Sequence, residues 1–388
     1  MHENRTVLLA GILIAASTAT GHVDARQKPE RFRTSTAAVV VDVVVRNGKG
    51  EPVPGLTADD FSVYEDGVRQ TITSFDAIAD ASTSTLPQSH SSAAQSGPGP
   101  RNERVPATVA LVFEQLSPEG RRLSEKAATA FVNNTLTSSD YAAVFSIDRT
   151  LLPIVRYTHD LDALRKGVRV AARRPGYALE HAGQVPGAEY GSYTPGQPSQ
   201  STQDDRADLR GRATFDALEA LIDSMQAGDG RKAVVLFSEG LTLMPPEDLS
   251  ADGMPSPNID SWLSDGRYEH FLRVFERANR AHVAFYTFDA KGLRIEGLND
   301  RHCFGCAPYV GLQMLADQTG GTFVDSTNDL VGPVQRVGAD LRTYYLLGYA
   351  STNSKADDKY RQITVKVEGK DLHVLARKGY VASATNRK

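Results

Sequence analysis

The chain of 388 residues has two cysteines, one tryptophan and, beyond its first few dozen residues, no apolar run long enough to cross a bilayer. Cys303 and Cys306 are close neighbours in sequence, so a disulfide-dense scaffold is excluded. An excess of one charge is also missing. Lys and Arg number 43 against 47 Asp and Glu, a net charge of -4, which gives no general pull toward nucleic acid or anionic lipid. The chain has no Gly-x-Ser-x-Gly, no phosphate-cradling Gly-rich loop ending in Lys-Ser or Lys-Thr, and no His-Glu-x-x-His. Its nine histidines, His159, His270 and His282 among them, are scattered without ligand spacing. These absences point away from an enzyme.

At the N-terminus, Arg5 precedes the apolar block Val7 to Ala16, and Val23 and Ala25 fit the small-x-small rule for cleavage after Ala25. The block falls short of the roughly 20 apolar residues a membrane span needs. Residues 1–25 therefore read as a secretory signal. The expected mature chain is exported, to the periplasm or the extracellular space, with no transmembrane span after cleavage.

The rest of the chain suggests roughly two or three domains. Residues 34–79 are rich in β-branched residues, and Asp66-Gly67 separates two strand-like runs at the spacing of a type I′ hairpin. Residues 80–104 are mostly Ser, Thr, Pro and Gly, with almost nothing to bury, and read as a disordered linker. From 105 to 340, short apolar strands such as ATVALVF and KAVVLFS alternate with amphipathic helices such as LDALRKGVRVAA. That alternation predicts a doubly wound, mostly parallel sheet with helices on both faces. Residues 341–383 return to strands. Neither terminal β-segment alone makes a comfortable sandwich. The two are expected to pair into one β-sandwich-like domain with the α/β domain inserted.

The order VALVFEQLS, then Thr214 ahead of a helical stripe, then VVLFSEG, resembles a von Willebrand factor type A domain. The flanks DVVVRNGKGEPVPGLTADDFSVYEDG and YYLLGYAS, with ARKGYVA, are similar to exported bacterial proteins described as VWFA-related, a group named from acidobacteria. The resemblance implies a binding module and brings no activity with it. Type A domains often hold a divalent cation through Asp-x-Ser-x-Ser after the first strand, a Thr in a later loop and an Asp after the fourth strand. Carried onto this chain, the first triplet falls on Glu114, Leu116 and Pro118, the Thr on Thr214 and the last Asp on Glu239. Two of three oxygens of the triplet are gone, and Ser117 is one position out of register.

A hard ion such as Mg2+ requires near-octahedral oxygen donors at short distance. Glu114, Thr214 and Glu239 therefore read as a degenerate metal site, with Mg2+ or Ca2+ as the only cofactors to consider. In the plain structural alternative, both glutamates sit against helix N-terminal amides and Thr214 caps its helix.

Long loops are expected at the carboxyl edge of the sheet, where such folds bind their ligands. Tyr190 and Tyr193 in one, and Trp262 in another, resemble the rigid aromatic contacts of recognition loops. Cys303 and Cys306 in HCFGCAP read as a small disulfide stapling a third loop; redox chemistry by the same pair is the alternative. The sequence thus predicts a non-catalytic binding or scaffold protein whose partner is a protein or envelope component. A cation-dependent adhesion module and a thiol-disulfide protein are the other two readings.

Overall fold

The terminal segments fold together because each contributes apolar residues to one shared core. The N-terminal one supplies β1 (Ala38–Arg46), β2 (Phe61–Glu65), β3 (Val68–Gln70) and β4 (Ile72–Ile78). Then follow β5 (Thr108–Glu114), α1 (Pro118–Asn134), β6 (Tyr141–Ile147), β7 (Leu151–Thr158), α2 (Leu161–Arg173), α3 (Gln200–Ser224), β8 (Lys232–Ser238), α4 (Arg267–Ala281), β9 (Val283–Asp289), α5 (Pro308–Thr319), β10 (Phe323–Val324) and α6 (Val331–Arg342). The C-terminal segment adds β11 (Tyr344–Ala350), β12 (Tyr360–Val367), β13 (His373–Ala376) and β14 (Gly379–Val381). This computed structural model describes residues 38–79, 106–174, 200–228, 230–241, 243, 266–293 and 308–382, with backbone alone for 200–210, 267 and 308. All of them lie within a single unit, Thr36–Lys388.

Two four-stranded sheets, β13-β1-β11-β4 and β14-β12-β2-β3, each mix strands from both ends of the chain. β1 pairs antiparallel with β11 from Ala38 opposite Ala350 to Val43 opposite Tyr345, and β12 pairs antiparallel with β2. Val39, Val41, Val43 and Val45 of β1 point the same way by the period of two, and form one core with Phe61, Val63, Tyr345, Leu347, Tyr349 and Ile363. Asp66 and Gly67 between β2 and β3 both take positive φ, 49° and 81°, the geometry of the expected type I′ turn.

Between these β-segments lies the central sheet, in the order β10-β9-β8-β5-β6-β7. β5, β6, β8, β9 and β10 are mutually parallel, and β7 closes one edge antiparallel. All seven residues of β5 are buried, as a strand covered on both faces requires. α1, α2 and α6 cover one face through Leu123, Phe131, Leu164, Val168, Val334 and Leu341. α3, α4 and α5 cover the other through Phe215, Leu221, Phe271, Val274, Leu312 and Leu315. Among the described residues no helix is long and apolar enough to cross a membrane.

Three expectations shift in detail. α3 begins at Gln200, so Thr214 lies inside this helix and not at its start. The segment before Thr214 lacks an apolar stripe, although its Gln, Arg, Ala and Leu residues are good helix formers. The run GTFVDST predicts a strand, of which only Phe323–Val324 pairs, and the spacing of Leu330, Val334 and Val337 predicts a helix over 328–340, which runs Val331–Arg342.

Candidate functional site

A doubly wound sheet binds ligands outside the carboxyl ends of its strands, where the strand order reverses. Here the reversal falls between β5 and β8, because the chain goes from β5 outward to β6 and β7 and returns on the other side as β8. The last residues of these two strands, Glu114 and Ser238, stand in register. The topology therefore puts Glu114, and Glu239 just after Ser238, at this edge.

Glu114 is buried, with 4% of its surface exposed. Oε2 accepts a hydrogen bond from Ser238 Oγ at 2.5 Å, and Oε1 accepts one from Thr214 Oγ1 at 3.2 Å. Thr214 reaches the carboxylate from the interior of α3, one helical face bringing it over the end of β5. Burial pushes the Glu114 carboxyl up to about 7. The hydroxyls of Ser238 and Thr214 resist that rise, and the charges of Glu239 and Asp148 add to it.

Glu239 takes a different role from Glu114. Its Oε1 accepts the Ser117 backbone N–H at 2.7 Å, while Ser117 Oγ accepts from Gly120 N at 3.1 Å as the N-cap of α1. Carboxylate and hydroxyl together satisfy amides at a helix start, where the macrodipole favours negative charge. Gly120 makes room for this: a Cβ there would stand 2.3 Å from Glu239 Oε1 and 3.1 Å from the Ala290 carbonyl.

The turn directly after Glu114 sets which side chains stand at the triplet positions. Gln115 adopts a left-handed φ of 44° directly after β5. The turn sends Leu116 into the core, 3% exposed, and leaves Pro118 as the first residue of α1. Neither offers a side-chain donor. A third strand-end carboxylate, Asp289 as the last residue of β9, is buried and accepts the Lys291 N–H at 2.9 Å.

A metal would have to compete for Glu114 oxygens that each already accept a hydroxyl, and would find hydrocarbon at two of the three triplet positions. Among the described residues no three His, Cys, Asp or Glu side chains gather in metal-binding range. The donor set does not fit a small octahedral ion. Glu114 and Thr214 are brought together; Glu239 is near enough for its charge to act on Glu114 but accepts from the Ser117 amide. The structural alternative holds for Glu239 but not for the other two, since Glu114 rests on hydroxyls and Thr214 caps no helix.

Ser238 and Asp148 were missed by sequence reasoning. Ser238 directly precedes Glu239 in FSEG and points to the opposite side by the period of two, but only the strand order sets it beside Glu114. Tyr190, Tyr193, Trp262, Cys303 and Cys306 lie outside the described residues.

The arrangement defines a class: a doubly wound α/β domain with a mostly parallel sheet, inserted in a β-sandwich-like part built from both chain ends. No family model and no curated relative matches the sequence. Solved structures do. An aerotolerance-related membrane protein from Bacteroides fragilis is 12% identical over 61% of this chain and 98% of its own, with a TM-score of 0.33. BatB from Bacteroides thetaiotaomicron is 13% identical over 60% of this chain and 98% of its own, with a TM-score of 0.32. A von Willebrand factor type A protein from Catenulispora acidiphila is 9% identical over 71% of this chain and 66% of its own, with a TM-score of 0.33.

Proposed function

We propose that the protein is an exported, non-catalytic binding or scaffold module that recognises a protein or envelope component without a metal ion. Domain limits at 34–79, 105–340 and 341–383, with a linker over 80–104, belong to the same reading. The observation that carries it is the closed hydrogen-bond set around Glu114. In a cation-dependent domain this carboxylate would face a metal; here both its oxygens accept side-chain hydroxyls.

Recognition then passes to the segments that open from the same edge. α3 points its N-terminal end past Thr214 for about 21 Å, by the rise of 1.5 Å per residue over the turns back to Gln200. The chain runs from the carboxyl ends of β8 and β9 into the segments that hold Trp262 and the cysteine pair. The segment with Tyr190 and Tyr193 leads into α3. These aromatic residues supply contact area at low conformational cost.

Affinity capture from the native envelope tests this, with the full chain beside one trimmed of residues 178–196 and one trimmed of residues 246–262. The reading expects a partner that survives chelation and is lost on trimming either segment. A partner retained by both trimmed chains contradicts it. Cation-dependent adhesion is the second reading, favoured by the charges of Glu239 and Asp148 acting on Glu114.

A further inference from the structure

Where the sandwich meets the helices of the α/β layers, one arginine is buried with no carboxylate of its own. Arg231, just ahead of β8, is 3% exposed. Nη2 donates to the Tyr286 hydroxyl at 3.3 Å, and the guanidinium lies 5.2 Å from the centre of the Tyr344 ring. Nε and Nη1 have no acceptor. Arginine does not lose its proton in proteins and is almost never this buried unless paired.

The neighbouring groups repeat the pattern. Arg377, between β13 and β14, donates from Nη1 to the Asn279 carbonyl and from Nη2 to the Val40 carbonyl, both at 2.7 Å, and its Nε is left without an acceptor. Asn279, near the C-terminus of α4, is buried with both amide atoms unpartnered. Arg231, Arg377 and Asn279 line one cavity of about 20 Å³, together with Asp42 and His282. A water needs roughly 10–15 Å³ measured in this way, so the space admits one monatomic guest and not a polyatomic oxyanion.

The charges around the cavity do not cancel. Its lining carries two guanidinium groups and one carboxylate, Asp42, whose Oδ1 is 3.9 Å from His282 Nδ1. His282 adds no charge near neutral pH, because the surrounding chain and then Arg377 push it below its ordinary range. Tyr344, raised by burial to about 12, stays neutral as well. One positive charge is left over at a site rich in unused N–H donors: Arg231 Nε and Nη1, Arg377 Nε and Asn279 Nδ2. A water would satisfy donors but leave the charge.

We propose that this seam binds one chloride-sized anion between Arg231, Arg377 and Asn279. The ion holds the sandwich, through Arg377, against the α/β layers, through Arg231 and Asn279. His282, 41% exposed at its side chain, marks the side from which the ion exchanges with solvent.

The test is melting of the full chain in sodium chloride or bromide against sodium gluconate at equal ionic strength, with a bromide-soaked crystal read by anomalous scattering. Expected are a saturating rise of a few degrees with either halide and one bromide peak in contact with Arg231 and Arg377. Asn279→Asp places a carboxylate at the same seam. It is expected to melt in gluconate as high as the parent does in chloride, with its halide response gone. Equal melting of the parent in all three salts overturns the proposal, as does ordered water with no bromide peak. So does an Asn279→Asp chain that retains the full halide response.

Discussion

Ser238 donates its hydroxyl to Glu114 at 2.5 Å across the two strands where the sheet order reverses. The bond joins the ends of β5 and β8 at the point where a ligand would otherwise insert. It also places an ionisable group in a buried setting, and this has consequences for stability.

Glu114 titrates at about 7 in the fold against an ordinary 4.5 for the unfolded chain, because burial disfavours its charge. The folded state therefore binds the extra proton between these values, and stability falls as pH rises through that window. At about 1.4 kcal/mol for each pH unit, the loss by pH 8 is about 3 kcal/mol. Glu114→Gln keeps hydrogen-bonding atoms for Ser238 and Thr214 and removes the charge. Urea unfolding from pH 4 to 8 should show the slope in the parent and its absence in the variant. A variant less stable than the parent at pH 8 contradicts the assignment.

Gly120 and Glu239 are predicted to be energetically coupled. A Cβ at Gly120 would displace the Glu239 carboxylate from the Ser117 amide. Gly120→Ala should cost about 2 kcal/mol in the parent, of the size of a lost helix cap plus a forced shift. It should cost about half as much in a Glu239→Ala background. A double-mutant cycle by urea unfolding reads the difference, and additivity would refute the coupling.

Gly67 tests the hairpin. Its φ is 81° and nothing lies within 4 Å of the position a Cβ would take, so Gly67→Ala meets only the backbone penalty of the left-handed region. A loss of about 1 kcal/mol is expected by thermal or urea unfolding. A neutral result would mean that the turn relaxes to another type.

The β-branched residues of 34–79 and the Asp66-Gly67 spacing made the terminal β-segment legible, and ATVALVF made a doubly covered strand legible; the burial of Val44 beside Val43 and Val45 was not. The positions of Glu114 and Glu239 were legible too, because each ends an apolar run. What each of them touches was not. The left-handed turn at Gln115 has no glycine to announce it, yet it decides that Leu116 enters the core and that Ser117 caps α1. Apolar periodicity starts at Phe215 and so predicts a helix beginning at Thr214, whereas α3 extends upstream on polar residues that carry no such signal. Side-chain contacts between strands far apart in sequence, Glu114 with Ser238 above all, follow from the strand order and cannot be read from spacing.

Thermal melting in excess Mg2+, Mn2+ or Ca2+ against a chelator tests the metal-free reading of the switch-point edge most directly. With Glu114 held by Ser238 and Thr214, and Glu239 held by the Ser117 amide, the melting temperature is predicted to be the same in every cation and in chelator. A cation-dependent rise approaching the roughly 2.7 kcal/mol expected at a hundredfold excess over Kd, and abolished by Glu114→Gln, would contradict it.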